Sequence, residues 1–204
     1  MRATPVFASL ILGASLSMTA ACDDHGHDHD HPQELITTVA LTFAPVGGGT
    51  AIVAEFDDPD GDGGDPPTVD PIALTAGAYT LTVAFENRLE DPPEDITLEI
   101  ADEADEHQVF FTGTAVDGPA SDQPAAPLMH AYDDTDANGL PIGLANTINA
   151  SAGNGDLVVT LRHLPTLNDM AQKTADLAGQ VEADGFGAIG GDNDAQVTFT
   201  VTVQ

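Results

Sequence analysis

The chain has no tryptophan, one cysteine and only four lysines and arginines in 204 residues. Each shortage excludes something. A single thiol closes no internal disulfide, so the fold must be held by its core. Four cationic side chains against 34 aspartates and glutamates leave a formal net charge of −30. Such a surface repels nucleic-acid phosphates and anionic headgroups, and nucleic acid is excluded as a partner. Aromatics are 5% of the residues, so aliphatic and β-branched side chains must build most of the core. Beyond residue 21 no apolar run is long enough to cross a bilayer. The same region has two serines, Ser121 and Ser151, neither in a nucleophile elbow, and no H-E-x-x-H. "GFGAIG" (185–190) matches G-x-G-x-x-G, but no β-α-β unit surrounds it. The reading is therefore non-catalytic. So acidic a chain suits divalent cations, or high salt that screens its self-repulsion.

The start of the chain carries its own signal. A weakly basic opening is followed by "VFASLILGASLSM" (6–18), of signal-peptide length and too short for a permanent span. Thr19, Ala20 and Ala21 then lead into Cys22. This resembles the lipobox of bacterial lipoproteins, with Thr19 where a larger aliphatic residue is usual. The resemblance implies cleavage after residue 21 and acylation of Cys22, giving a membrane anchor that does not span. The plainer alternative is an ordinary signal peptide and an incidental thiol.

"CDDHGHDHDH" (22–31) holds four of the seven histidines. His25, His27, His29 and His31 alternate with other residues on a stretch also bearing Asp23, Asp24, Asp28 and Asp30. Neutral imidazole suits Zn²⁺, Cu²⁺ and Ni²⁺. Interchangeable ligands on a floppy tail favour capture over catalysis, since ordering the tail opposes tight binding. The alternative is a solvated tether.

From residue 34 the pattern turns to period two. Strands are expected at 34–43, 50–56, 78–87, 108–115, 126–133, 144–151, 156–163 and 195–203. About eight short strands punctuated by Gly, Pro and Asp predict an all-β domain over 34–204. The expected form is an antiparallel, immunoglobulin-like β-sandwich with one or two short helices in insertions. Residues 94–107 read as a strand or as an acidic helix. The stretch 165–194 reads as a mobile insertion, its first half a short helix ending near Gly179.

Two loops offer hard oxygen ligands. In "DPDGDGGD" (58–65), Asp58, Asp60 and Asp62 alternate before Gly63, with Asp65 at the end. That is the opening half of a calcium loop, but Val69 stands where the closing glutamate belongs. "DTDANG" (134–139) repeats the opening with Asp134, Asp136 and Asn138, and is equally incomplete. Both also make good turns without any ion. Inside the domain, His107, His130 and His163 are expected as satisfied structural histidines. A mixed site near Glu103, Glu106 and His107 requires the fold to bring their strands together.

The blocks "ELITTVALTF", "FDDPDGDGGDPP", "EDITLEI", "DEHQVFF", "DANGLPIGL", "GDLVVTLRHLP" and "VTFTVTVQ" run through nearly the whole domain. In content and order they resemble a group of small Gram-negative lipoproteins often described as "type 1 periplasmic binding fold superfamily" proteins. The resemblance implies an exported, lipid-anchored, outer-membrane domain working beside an outer-membrane receptor, without an established activity. The two-lobed α/β fold in that description disagrees with the strand pattern, and the expectation here follows the residues. The function expected is cation binding, with zinc or another transition metal on the tail and calcium on the aspartate loop. The alternatives are a partner-binding or adhesion module whose metals are structural, and a salt-adapted lipoprotein with no specific metal.

Overall fold

Alternating β-branched sequence produces alternating burial along most of this chain. The computed structural model describes residues 34–61 and 63–204. The expected signal peptide, Cys22, the tail histidines His25, His27, His29 and His31, and Asp62 lie outside those residues. In order, the elements are β1 (Thr38–Pro45), β2 (Ile52–Asp57), β3 (Thr68–Val69), β4 (Ile72–Leu74), β5 (Gly77–Asn87) and β6 (Glu94–Asp95). There follow α1 (Ile96–Asp102), β7 (His107–Thr112), β8 (Val116–Asp117), β9 (Leu128–Tyr132) and β10 (Ala145–Ala150). β11 (Gly153–His163), α2 (Leu177–Asp184) and β12 (Asp192–Val203) complete the chain. Each of the eight expected strands is present.

In β5, Tyr79, Leu81, Val83 and Phe85 are buried while Thr80 and Thr82 face out. β12 repeats the pattern with Val197, Phe199, Val201 and Val203 inside. Each such side chain contributes about 1.5–3 kcal/mol on burial. Together with Leu41, Phe43, Phe111, Ile148 and Leu157 they fill the space between two sheets.

The larger sheet runs β3-β2-β1-β5-β10-β9-β8, with β6 added on β5; the smaller runs β4-β12-β11-β7. The all-β sandwich is as expected, but the strand arrangement differs from a purely antiparallel, immunoglobulin-like one. β4 pairs with β12, and β8 with β9, in parallel. β4 follows β3 across the sandwich from the edge of one sheet to the edge of the other. A crossover, unlike a tight hairpin, leaves strand direction free.

Both readings of residues 94–107 are realised in turn. Glu94 and Asp95 pair with the end of β5, and the Asp95 carboxylate then accepts the Thr97 N–H at 3.1 Å to cap α1. Ile96 and Ile100, four apart, bury against the sandwich.

In the 165–194 stretch the helix lies further along the chain than expected. This helix is α2, which runs through Gly179 and ends at Gly185 with φ +75°, a left-handed conformation glycine adopts at no steric cost. The stretch is also packed, because Leu177 and Val181 join Phe110, Ala120 and Leu164 in a second small core. Arg162 fastens the return, donating to Gly190 O at 2.9 Å and Asn193 Oδ1 at 2.8 Å. β7 is thus buried on both faces, Val109 and Phe111 on the main core and Phe110 on the second.

Candidate metal centre

The smaller sheet brings two histidines face to face. His107 opens β7, His163 closes β11, and antiparallel register sets them directly opposite. Their rings stack with centroids 4.6 Å apart and 11° between planes. His107 shares the parity of Val109 and Phe111, so it points between the sheets, and its side chain is 0% exposed.

The third member is Asp194, which reaches this pocket through a β-bulge. β11 and β12 pair Leu161 with Ala195 but Arg162 with Asn193, so Asp194 is the extra residue opposite no partner. By simple alternation Asp194 would share the outward face of Gln196, Thr198 and Thr200. The bulge re-aims it, and the side chain is 1% exposed.

His107 Nε2 and Asp194 Oδ2 are 3.7 Å apart. Both atoms are buried and neither has a hydrogen-bond partner. On the far side of its ring, His107 Nδ1 lies 3.2 Å from the carbonyl of Glu103, a group that can only accept. The Nδ1 proton is therefore committed there, which leaves a lone pair on Nε2 facing a carboxyl oxygen. Two acceptors confront each other unless a proton or a cation stands between them.

The electrostatics agree. Burial pulls the His107 imidazolium below its usual range, so the ring is neutral near pH 7. Burial, aided by the nearby Glu34 and Asp192, pushes the Asp194 carboxyl up to about 7. Two further carboxylates complete the surroundings: ligand atoms of Glu34, Glu103 and His107 fall within 4.8 Å of one another, as do those of His107, His163 and Asp194. Glu34 leads into β1 and Glu103 caps the C-terminus of α1, so both layers contribute. Glu106 orients the open side. Its Oε1 accepts from Thr166 N and Oγ1 at 3.0 and 2.9 Å, and its Oε2 stands 4.0 Å from His163 Nε2.

The expected aspartate loops fare differently. In the 134–139 loop, Asp134 accepts backbone N–H bonds from Gly143, Leu144 and Ala145 at 2.7–2.9 Å. Asp136 Oδ1 accepts from Asn138 and Leu140, and its Oδ2 pairs with Lys173 Nζ at 3.1 Å. Asn138 itself is exposed. In this loop the Lys173 ammonium stands against the Asp136 carboxylate. In the 58–65 loop, Asp60 Oδ2 accepts from Asp65 N at 3.0 Å, while Asp58 Oδ1 and Asp60 Oδ1 are buried without a donor. His130 is tied at one nitrogen, Nε2 2.9 Å from Asn146 Oδ1, while its Nδ1 is buried without a partner.

His107 has its Nδ1 on the Glu103 carbonyl and its Nε2 without a hydrogen-bond partner, and His163 stacks on it. The sequence signal that would have found them is the equal parity of His107 with Val109 and of His163 with Leu161. Asp194 carried no such signal, since a bulge leaves no mark in a period-two pattern. No protein-family model, curated protein or solved structure matches this chain.

Proposed function

We propose that this protein is an exported, lipid-anchored β-sandwich that binds divalent cations and performs no chemistry on them. The observation that carries the reading is the pair of buried, unpartnered ligand atoms, His107 Nε2 and Asp194 Oδ2, set among a second imidazole and two carboxylates. Dense acidity raises the local concentration of cations around such a site. Cys22 is the proposed anchor, and among the described residues no helix is long and apolar enough to cross a membrane. The histidine tail is the proposed collector of transition metal, and His31 precedes Glu34 by three residues in the sequence. The 58–65 loop is the proposed calcium position, supported by its two inward carboxylate oxygens.

Metal analysis of protein purified from its own host without chelators tests this reading. Bound divalent metal in stoichiometric amount is expected, with a melting temperature that falls on chelation. Metal-free protein that melts identically with and without added cations would overturn it.

A further inference from the structure

The 3.7 Å gap between His107 Nε2 and Asp194 Oδ2 is informative in itself. It is too long for an N–H···O hydrogen bond, which closes to about 2.7–3.2 Å. Leaving two buried polar atoms unsatisfied is costly, and native folds seldom do so without cause. Two ligands of one tetrahedral zinc ion, each bonded at about 2.0–2.1 Å, stand roughly 3.3 Å apart. The observed gap closes to that value with a few tenths of an ångström of side-chain motion. The wider group, with ligand atoms up to 4.8 Å apart, must draw in somewhat more, because two ligands on opposite sides of such an ion stand at most about 4.2 Å apart.

From this geometry we infer that His107, His163 and Asp194 form a site for one borderline transition-metal dication of the zinc class, with one of Glu34 and Glu103, which group with His107, as the fourth ligand. This rests on the cation-binding reading above and narrows it to one place and one class of ion. Three features favour that class over calcium. Calcium takes six to eight oxygen ligands, whereas two of the three central ligands here are imidazoles. His107 donates its other ring N–H to a backbone carbonyl, the arrangement that fixes the tautomer and raises the basicity of a metal-binding histidine. The three central ligands come from β7, β11 and β12, paired strands that keep them adjacent, and binding turns the two stacked rings until both nitrogen lone pairs meet the ion. This separates the site from the histidine tail, whose ordering opposes binding. His163, 10% exposed, and Glu106, 22% exposed, form the side through which an ion enters.

The test uses the whole mature chain with His25, His27, His29 and His31 replaced by Asn, which removes the tail's own affinity. Three imidazoles remain: His107, His130 and His163. Zn²⁺, Co²⁺ and Ca²⁺ are titrated by calorimetry, and the three imidazoles are followed by nitrogen-15 NMR. The expected result is one Zn²⁺ or Co²⁺ bound, with His107 and His163 shifting and His130 unmoved. His107→Asn and Asp194→Asn should each weaken binding at least about tenfold, while the exposed Asp102→Asn changes nothing. The NMR result stands even if a core variant fails to fold. Zinc binding that leaves His107 and His163 unshifted overturns the site but not the cation-binding reading. Calcium bound here in preference to zinc overturns the class of ion alone. No cation bound by any part of the chain overturns both.

Discussion

Lys173 shows what a single buried charge does in so acidic a protein. Its ammonium and the Asp136 carboxylate are each 1% exposed and 3.1 Å apart, and Nζ also donates to Ala104 O at 2.6 Å. One strong base thereby ties the insertion before α2 to the 134–139 loop and to the turn after α1. Removing one partner of a buried pair leaves the other charge without compensation, a loss of about 3–5 kcal/mol. Lys173→Met should therefore lower the unfolding free energy by about that amount, read from urea denaturation. Adding Asp136→Asn should recover much of it. A loss under ~1 kcal/mol would mean that water reaches the pair. Nothing in the sequence around Lys173 announced this role. "DTDANG" marks a cluster of carboxylates, but the ammonium that meets Asp136 comes from a residue about forty positions away.

Among the elements, legibility followed periodicity. The strands were readable because threonines and valines alternate, and the packed face of β5 or β12 can be ticked off residue by residue. Strand neighbours were less readable. Parallel pairing of β4 with β12 depends on a crossover that no local pattern encodes. The packing of the insertion was hard to read because its apolar residues are sparse. Leu177, Val181, Phe186 and Ile189 look unremarkable until Phe110 is found facing them from β7. The two histidines lay on readable strands, yet their meeting depended on the register of β7 against β11. The second core should be separable from the first. Leu177→Asp places a charge against Phe110 and should release α2 without melting the sandwich. Hydrogen exchange would then accelerate across 177–189 while the amides of β11 and β12 stay protected. Loss of protection throughout would show that the two cores unfold as one.

For the whole molecule, the dominant fact is a net charge of −30. Arg88 relieves some of it locally, reaching Glu86, Asp57 and Glu55 at 2.8, 3.3 and 3.2 Å. The rest repels itself across the surface. Between about 0.01 M and 1 M salt the Debye length shrinks from about 30 Å to about 3 Å, and this repulsion fades. The melting temperature should accordingly climb by several degrees over that range in a sodium salt, measured by scanning calorimetry. A flat response would mean that the carboxylates are already neutralised by bound ions. Unfolding at the low-salt end would favour the salt-adapted reading of the acidity. The candidate metal centre lies where the entry to β1, the end of α1 and three strands of the smaller sheet converge.

Asp194 is in that centre only because β12 carries one residue more than β11 can match. Excising that residue would leave Asn193 and Ala195 consecutive opposite Arg162 and Leu161, restoring an unbroken ladder. A single codon therefore separates a sandwich with a carboxylate at its heart from an otherwise identical one without it. Deleting Asp194 alone thus tests whether the bulge, and not the sandwich around it, supplies that carboxylate.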